Sequence, residues 1–268
     1  AAAGAAAAGD AAAYEGAPWG WAVAGLLKSA GGGATAATLL ADLAAALNVG
    51  GQLRLSLPPA AERAAAGPAV VTHSAGGLTA EVGMKMALAA AAGPGGDEGG
   101  GDGAAAPAAA EASEGAEAAP AALERFAGSS QLAHPATLNS EQLRGAAVPG
   151  ASFWASARGL AAFYAALGAG RLYPLRELTE GRAATGTFLG RPTKWSLGLQ
   201  VTAFGGERAV TAVGHAATGG TIAFAVPERG LAVAITTSKL ASEPVATRKV
   251  LKLVLGEYGL GAAAAELV

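Results

Sequence analysis

The chain has 268 residues, which is enough for one large domain or two small ones. Hydrophobic residues make up 52%, but alanine dominates them and buries little area, so the usable core is smaller than that figure suggests. The net charge of −2 gives no basic footprint for nucleic acid, and the absence of cysteine excludes disulfides, thiolate metal sites and cysteine nucleophiles.

The N-terminal region predicts two helices behind an alanine-rich lead-in. Residues 1–13 are of low complexity and lack the basic head and leucine-rich centre of a signal peptide. The first residue is not Met, so we expect the chain to begin inside a longer gene product, and its compartment stays unknown. Apolar spacing predicts helices over 19–30 and over 35–48, the second capped by Thr35 or Thr38. The apolar runs are interrupted alanine tracts, and none suits a membrane-spanning segment.

The middle of the chain predicts a short strand and then a stretch without anchoring side chains. Alternating polar and apolar residues predict a strand over 52–57, ended by two prolines. Residues 93–122 combine Gly, Ala and Pro with acidic residues and contain no basic or large apolar residue. This composition is typical of a disordered insertion or a surface loop. Such an insertion need not divide two domains, because a long loop adds little closure entropy.

The C-terminal half predicts an antiparallel sheet between helices. Ser156 is a suitable N-cap for a helix over 156–170, a short helix is predicted over 175–185, and a final helix over 245–258. The apolar stripe of the final helix comprises Val250, Leu251, Val254 and Leu255. Strand-like runs separated by Gly or Pro turns lie at 195–204, 209–213, 221–226 and 231–237. Helices, then a meandering sheet, then a covering helix make an α+β layout.

The most informative segment extends from Val213 to Ile235. It predicts two apolar strands joined by a Pro-Glu-Arg-Gly turn at 227–230, with a Gly-rich stretch around His215 before them. A histidine followed by small residues at a strand edge lets a substrate come close to the backbone. The segment therefore leaves room for a substrate at that edge.

Five sequence blocks occur in the order found in one family of hydrolases. The blocks are Tyr14 to Trp21, Leu47 to Pro59, Pro149 to Leu167, Trp195 to Leu199, and Gly214 to Gly220. They resemble motifs of β-lactamase-related serine hydrolases, which include class C β-lactamases, esterases and penicillin-binding-protein relatives. The resemblance implies an incomplete β-lactamase/transpeptidase-like α+β domain over 14–260. The similar subtype is fused behind atypical kinases in plants and algae, so a fused kinase domain is the partner that it implies.

The resemblance also implies site residues. In such enzymes a Ser-x-x-Lys serine is acylated, a Tyr relays its proton, and a strand-borne Lys-Thr-Gly, or His in place of the Lys, lines the cleft. Tyr14 and His215 would then be the catalytic proton relay and strand-edge residue. The substrate-binding residues would be Ser152, Trp154, Gly219 and Gly220. The substrate implied is a small amide or ester.

Most of these residues also have a purely structural explanation. Tyr14 could be an ordinary tyrosine near a frayed end, and His215 a hydrogen-bonded histidine at the rim of the sheet. Trp154 could belong to the core, and the two glycines could serve a bulge or turn. No cofactor or metal is expected, because His73 and His134 have no carboxylate or histidine at ligand spacing.

The nucleophile motif is missing from this sequence, because no serine has a lysine three residues later. One hypothesis is a partial serine hydrolase domain, which when intact cleaves an amide or ester through an acyl-enzyme but is inactive as the chain stands. The alternative is a non-catalytic binding or regulatory module, such as a pseudoenzyme attached to a kinase.

Overall fold

The structure, a computed structural model, gives the bounds of seven helices and eleven strands among the residues that it describes. The described residues are 11–12, 17–59, 72–73, 135–150, 152–180, 184–188, 191–204, 210–217, 219–241, 244–261 and 267. The helices are α1 (Ala17–Ala30), α2 (Ala36–Ala46), α3 (Pro135–Leu138), α4 (Glu141–Gly145), α5 (Ala157–Gly168), α6 (Leu175–Glu180) and α7 (Val245–Glu257). None of these helices is long and apolar enough to cross a membrane. The insertion at 93–122 lies outside the described residues, so it stays a prediction.

The strands form one large sheet and two short ladders. They are β1 (Ala11–Ala12), β2 (Leu53–Arg54), β3 (Thr72–His73), β4 (Trp154–Ala155), β5 (Ala184–Phe188), β6 (Arg191–Ser196), β7 (Leu199–Phe204), β8 (Val210–Ala216), β9 (Ile222–Val226), β10 (Leu231–Ile235) and β11 (Lys239–Leu240). The large sheet has the order β1-β5-β6-β7-β8-β9-β10, whereas β2 pairs with β4 and β3 with β11. From β5 to β10 each strand is antiparallel to the next, and β1 lies parallel to β5. The predicted α+β layout of helices, antiparallel sheet and C-terminal helix is confirmed.

Both faces of the sheet are covered by helices, because side chains alternate between the faces along each strand. On one face Phe224 and Val233 pack with Leu251 and Leu255 of α7. On the other face Val213 packs with the side chains of α5, and Ala225 belongs to the same cluster. Strands β8 and β9 therefore lie between two layers, and all five residues of β9 are buried.

Hydroxyl caps begin two of the helices that the sequence predicts. Thr35 Oγ1 accepts a hydrogen bond of 3.1 Å from the N–H of Thr38, at the start of α2. Ser156 Oγ accepts one of 3.0 Å from the N–H of Gly159, at the start of α5. Each hydroxyl satisfies one of the backbone donors that a helix start leaves without a partner, so both predicted caps are confirmed.

Three predicted elements differ from those observed. The strand over 195–204 is a hairpin, because Leu197 and Gly198 have positive φ angles of 50° and 79° and form a two-residue turn between β6 and β7. The helix over 175–185 ends at Glu180, and residues 184–188 form β5. The strand over 52–57 is reduced to the two residues of β2.

The apolar stripe of α7 is also displaced from the prediction. Leu251 and Leu255 are buried and Thr247 joins them, whereas Val250 is 44% exposed. Consecutive helical residues lie about 100° apart around the axis, so Val250 cannot share the buried line of Leu251.

Two helical glycines provide a matched test of the close packing on β9. Gly168→Ala would place a Cβ 2.8 Å from the Cβ of Ala225. We expect this overpacking to lower the free energy of unfolding by about 1–3 kcal/mol. In Gly256→Ala the new Cβ meets no described atom within 4 Å, and helix propensity should raise that free energy by up to about 1 kcal/mol. Urea denaturation measures the free energy of unfolding of both variants. Equal changes in that free energy would contradict the closer packing of Gly168 against β9.

Candidate active site

Strand β8 continues beyond the end of its pairing with β7. The β7 ladder ends at the pair Gln200 and Gly214, because the chain turns away at Leu197 and Gly198. On the other side β8 remains paired with β9 through His215 and Ala216. Among the described strands, His215 therefore lies where β8 changes from two paired edges to one, a position at which main-chain groups can face a ligand.

His215 lies on the face of the sheet that α5 covers. Its partner across the ladder is Ala223, and Val213 precedes it by two residues on the same face. The imidazole ring also contacts Trp195, with 5.8 Å between the ring centroids. Burial lowers the pKa of His215 below its ordinary value, because the low-dielectric surroundings disfavour the charged form. At neutral pH the ring is therefore uncharged, with one donor and one acceptor nitrogen.

The side chain of Gln200 on β7, which the sequence did not single out, reaches this strand end. Gln200 Oε1 accepts a hydrogen bond of 2.8 Å from the N–H of Ala216. In the sequence Gln200 is a single amide side chain within an otherwise mostly apolar strand. That pattern does not reveal its hydrogen-bond partner, Ala216, which lies sixteen residues away.

Gly219 and Gly220 close the loop between β8 and β9 against other elements. Their φ angles are 96° and 101°, a region that L side chains rarely adopt. A Cβ on Gly219 would lie 2.6 Å from Leu240, and one on Gly220 would lie 2.8 Å from Pro244. Thr247 of α7 donates a buried hydrogen bond of 2.7 Å to the carbonyl of Gly220. Both glycines thus have a structural reason, and their substrate-binding role stays a prediction.

Ser152 has main-chain partners on several sides. It is 1% exposed, and its Oγ accepts a hydrogen bond of 2.7 Å from the N–H of Val148. The same hydroxyl can donate to the carbonyl of Leu55 at 2.7 Å or of Ala146 at 2.8 Å. It therefore ties the turn before β4 to the segment after β2. A role in binding substrate stays a prediction.

Trp154 belongs to a different sheet from His215. It lies on β4, which pairs with β2, whereas His215 lies on β8 of the large sheet. The guanidinium of Arg144 is 5.8 Å from the centroid of its ring, within the range of a cation–π interaction. Its buried Nε1 has no hydrogen-bond partner in the part of the chain that the structure describes.

The sequence also singled out Tyr14, His73 and His134. Tyr14 and His134 lie outside the described residues, so their predicted roles remain predictions. His73 forms β3 with Thr72 and pairs with Leu240. Within the described ranges, no cluster of three or more His, Asp or Glu residues could hold a metal ion.

A cavity of about 260 Å³ lies elsewhere, between α2 and the β2 segment. Its polar side chains are those of Arg54 and Ser56, and the guanidinium of Arg54 already donates to the carbonyl of Gly51 at 2.9 Å. Its described lining holds no side chain that could accept the proton of a nucleophile, so we place the candidate site at the end of β8.

Two buried serines provide a matched test of hydrogen bonding. Ser152 and Ser196 are each 1% exposed, but the Oγ of Ser196 has no hydrogen-bond partner among the described residues. Ser152→Ala leaves the N–H of Val148 without its acceptor and should lower the free energy of unfolding by about 1–3 kcal/mol. Ser196→Ala should be neutral or stabilising by up to about 1 kcal/mol. Chemical denaturation checks both values, and a larger loss for Ser196→Ala would contradict these assignments.

The lowered pKa of His215 predicts a pH dependence of stability. In the unfolded chain the pKa of this imidazole is near its ordinary value of 6.5. In the folded chain the pKa is lower, so the ring takes up its proton only at a lower pH. Stability should therefore fall as the pH drops from about 6.5 towards the lowered pKa. His215→Gln should lose this part of the dependence. Urea unfolding from pH 8 to pH 5 measures the free energy of unfolding of both proteins. If the difference between the two free energies stays constant over this range, the lowered pKa of His215 is refuted.

Comparison with known proteins identifies the family of this chain. A family model described as Beta-lactamase matches residues 103–256, which include α5, the sheet from β5 to β10 and most of α7. No curated protein matches the chain. The matched region covers more than half of the sequence and contains the strand end at His215. The chain belongs to the β-lactamase family.

Proposed function

We propose that the end of β8 is one wall of an acyl-transfer cleft that binds a small amide or ester. The observation that carries this proposal is the position of His215 where β8 extends beyond its pairing with β7. The N–H of Ala216 is directed to the side of β8 where the β7 ladder has ended, and a carbonyl oxygen of a ligand can take the place of its present acceptor, Gln200 Oε1. Membership of the β-lactamase family supports the same assignment.

His215 would position the ligand by hydrogen bonding. Burial keeps the imidazole neutral near pH 7, so it cannot supply the positive charge that a lysine would bring to the same strand. Tyr14 is the proposed proton relay of the complete cleft. Ser152, Trp154, Gly219 and Gly220 remain the proposed substrate-binding residues.

We expect this chain to bind without hydrolysing, because acyl transfer requires an activated nucleophile. No serine in the sequence has a lysine three residues later. Ser152 is engaged by main-chain groups, and Ser156 caps α5 while its Oγ donates to Gln52 at 2.7 Å. In a protein that joined this chain to a Ser-x-x-Lys element, the serine oxygen would displace the amine or alcohol of the substrate to form an acyl-enzyme, and water would then cleave that ester to release the acid.

A non-catalytic binding or regulatory module is the second candidate. The missing Ser-x-x-Lys motif favours it, and a fused kinase is the kind of partner that the sequence resemblance suggests. The two candidates share the cleft wall at His215 and differ in whether a nucleophile is supplied to it. A Ser-x-x-Lys motif in a longer form of the protein would favour the hydrolase.

Binding and labelling experiments test the proposal together. Titration of ¹⁵N-labelled protein with benzylpenicillin should shift the amide signals of His215 and Ala216. His215→Ala should weaken that binding by about tenfold, as expected for a lost hydrogen bond. A fluorescent penicillin or fluorophosphonate should label nothing.

The exposed Lys249 on α7 provides the control, since Lys249→Ala should bind as the original chain does. Signals that stay unshifted at millimolar ligand would refute the cleft wall. Covalent labelling would refute the absence of a nucleophile.

A further inference from the structure

Gln200 extends from β7 to the main chain of β8, beside His215. Its Oε1 lies 2.8 Å from the backbone nitrogen of Ala216. The backbone N–H is a donor, so the amide oxygen of Gln200 is the atom that accepts. The contact therefore occupies one main-chain donor at the strand end where the proposed cleft lies.

The turn between β6 and β7 explains why a side chain takes this position. Gln200 pairs with Gly214, so the same register would place residue 198 opposite Ala216. Gly198 instead lies in the turn, with a φ angle of 79°, and cannot continue the ladder. The amide of Gln200 replaces the carbonyl that the missing pair would have supplied, and it does so with a side chain that can rotate away.

We infer that Gln200 is a specificity-determining residue, which competes with the carbonyl oxygen of a bound amide or ester for the N–H of Ala216. This inference rests on the proposed function of the β8 end. A ligand that uses this donor must first displace the amide, and a ligand that cannot replace its hydrogen bond is disfavoured. The uncharged side chain of Gln200 then sets specificity through its hydrogen bond to the main chain of Ala216.

Hydrogen exchange tests the contact without any ligand. Gln200→Met keeps the length of the side chain but removes the oxygen, whereas Gln200→Glu keeps an oxygen that can accept. We expect the Ala216 amide to exchange at least about tenfold faster in Gln200→Met than in the original chain, with protection retained in Gln200→Glu. Unchanged exchange in Gln200→Met would overturn the inference.

Affinity for benzylpenicillin tests the competition. Gln200→Met should bind about three- to tenfold more tightly, the range expected when one competing hydrogen bond is removed. Gln200→Glu should bind more weakly than the original chain, because a carboxylate accepts more strongly than an amide and repels the carboxylate of benzylpenicillin. A merely structural role for Gln200 would instead weaken binding. Equal or weaker binding by Gln200→Met would overturn the competition alone, whereas absence of binding by every variant would overturn the proposed function and the competition with it.

Discussion

At the end of α5 the backbone of Gly168 approaches β9 so closely that an added Cβ would lie 2.8 Å from the Cβ of Ala225. A chain in which alanine supplies most of the apolar residues has few large side chains with which to fill a core. It can still exclude water if the backbones of neighbouring elements approach one another closely. Such approaches occur where a helix or strand has a glycine, so these glycines decide how well the layers pack.

The same close approach recurs where the central strands meet and where α5 begins. A Cβ on Gly214 would overlap the carbonyl of Ala223 and the side chain of Phe224 on β9. A Cβ on Gly159 would lie 2.8 Å from the carbonyl of Gln52. The absence of a side chain at Gly159 therefore lets α5 pack closely against the segment before β2. Larger side chains such as Phe224 and Leu251 then fill the remaining space between the sheet and α7. The position of β8 is thus set by its ladders with β7 and β9 and by the close approach of Gly214 to β9.

Local signals in the sequence predicted the elements, and contacts between distant residues decided the site. Ser156 as a cap and the Pro227–Arg229 turn were predictable, because each depends on its immediate neighbours. The β6–β7 hairpin was not, because Leu197 is an unusual residue for a positive φ angle and no Asn-Gly pair marks the turn. The hydrogen bond from Ser152 to Leu55 spans 97 residues, and composition or spacing cannot reveal it.

The proposed site combines main-chain donors that are fixed in position with side chains that a substitution can exchange. The main-chain donors at the end of β8 are fixed by the ladder with β9, so a substitution alters them little. The side chains around them, His215 and Gln200, are neutral at pH 7 and act through hydrogen-bond geometry rather than through charge. Recognition at such a wall depends on which oxygen occupies each backbone donor. Substitutions at the positions that face those donors would therefore change the preferred ligand while the packing that supports β8 stays intact.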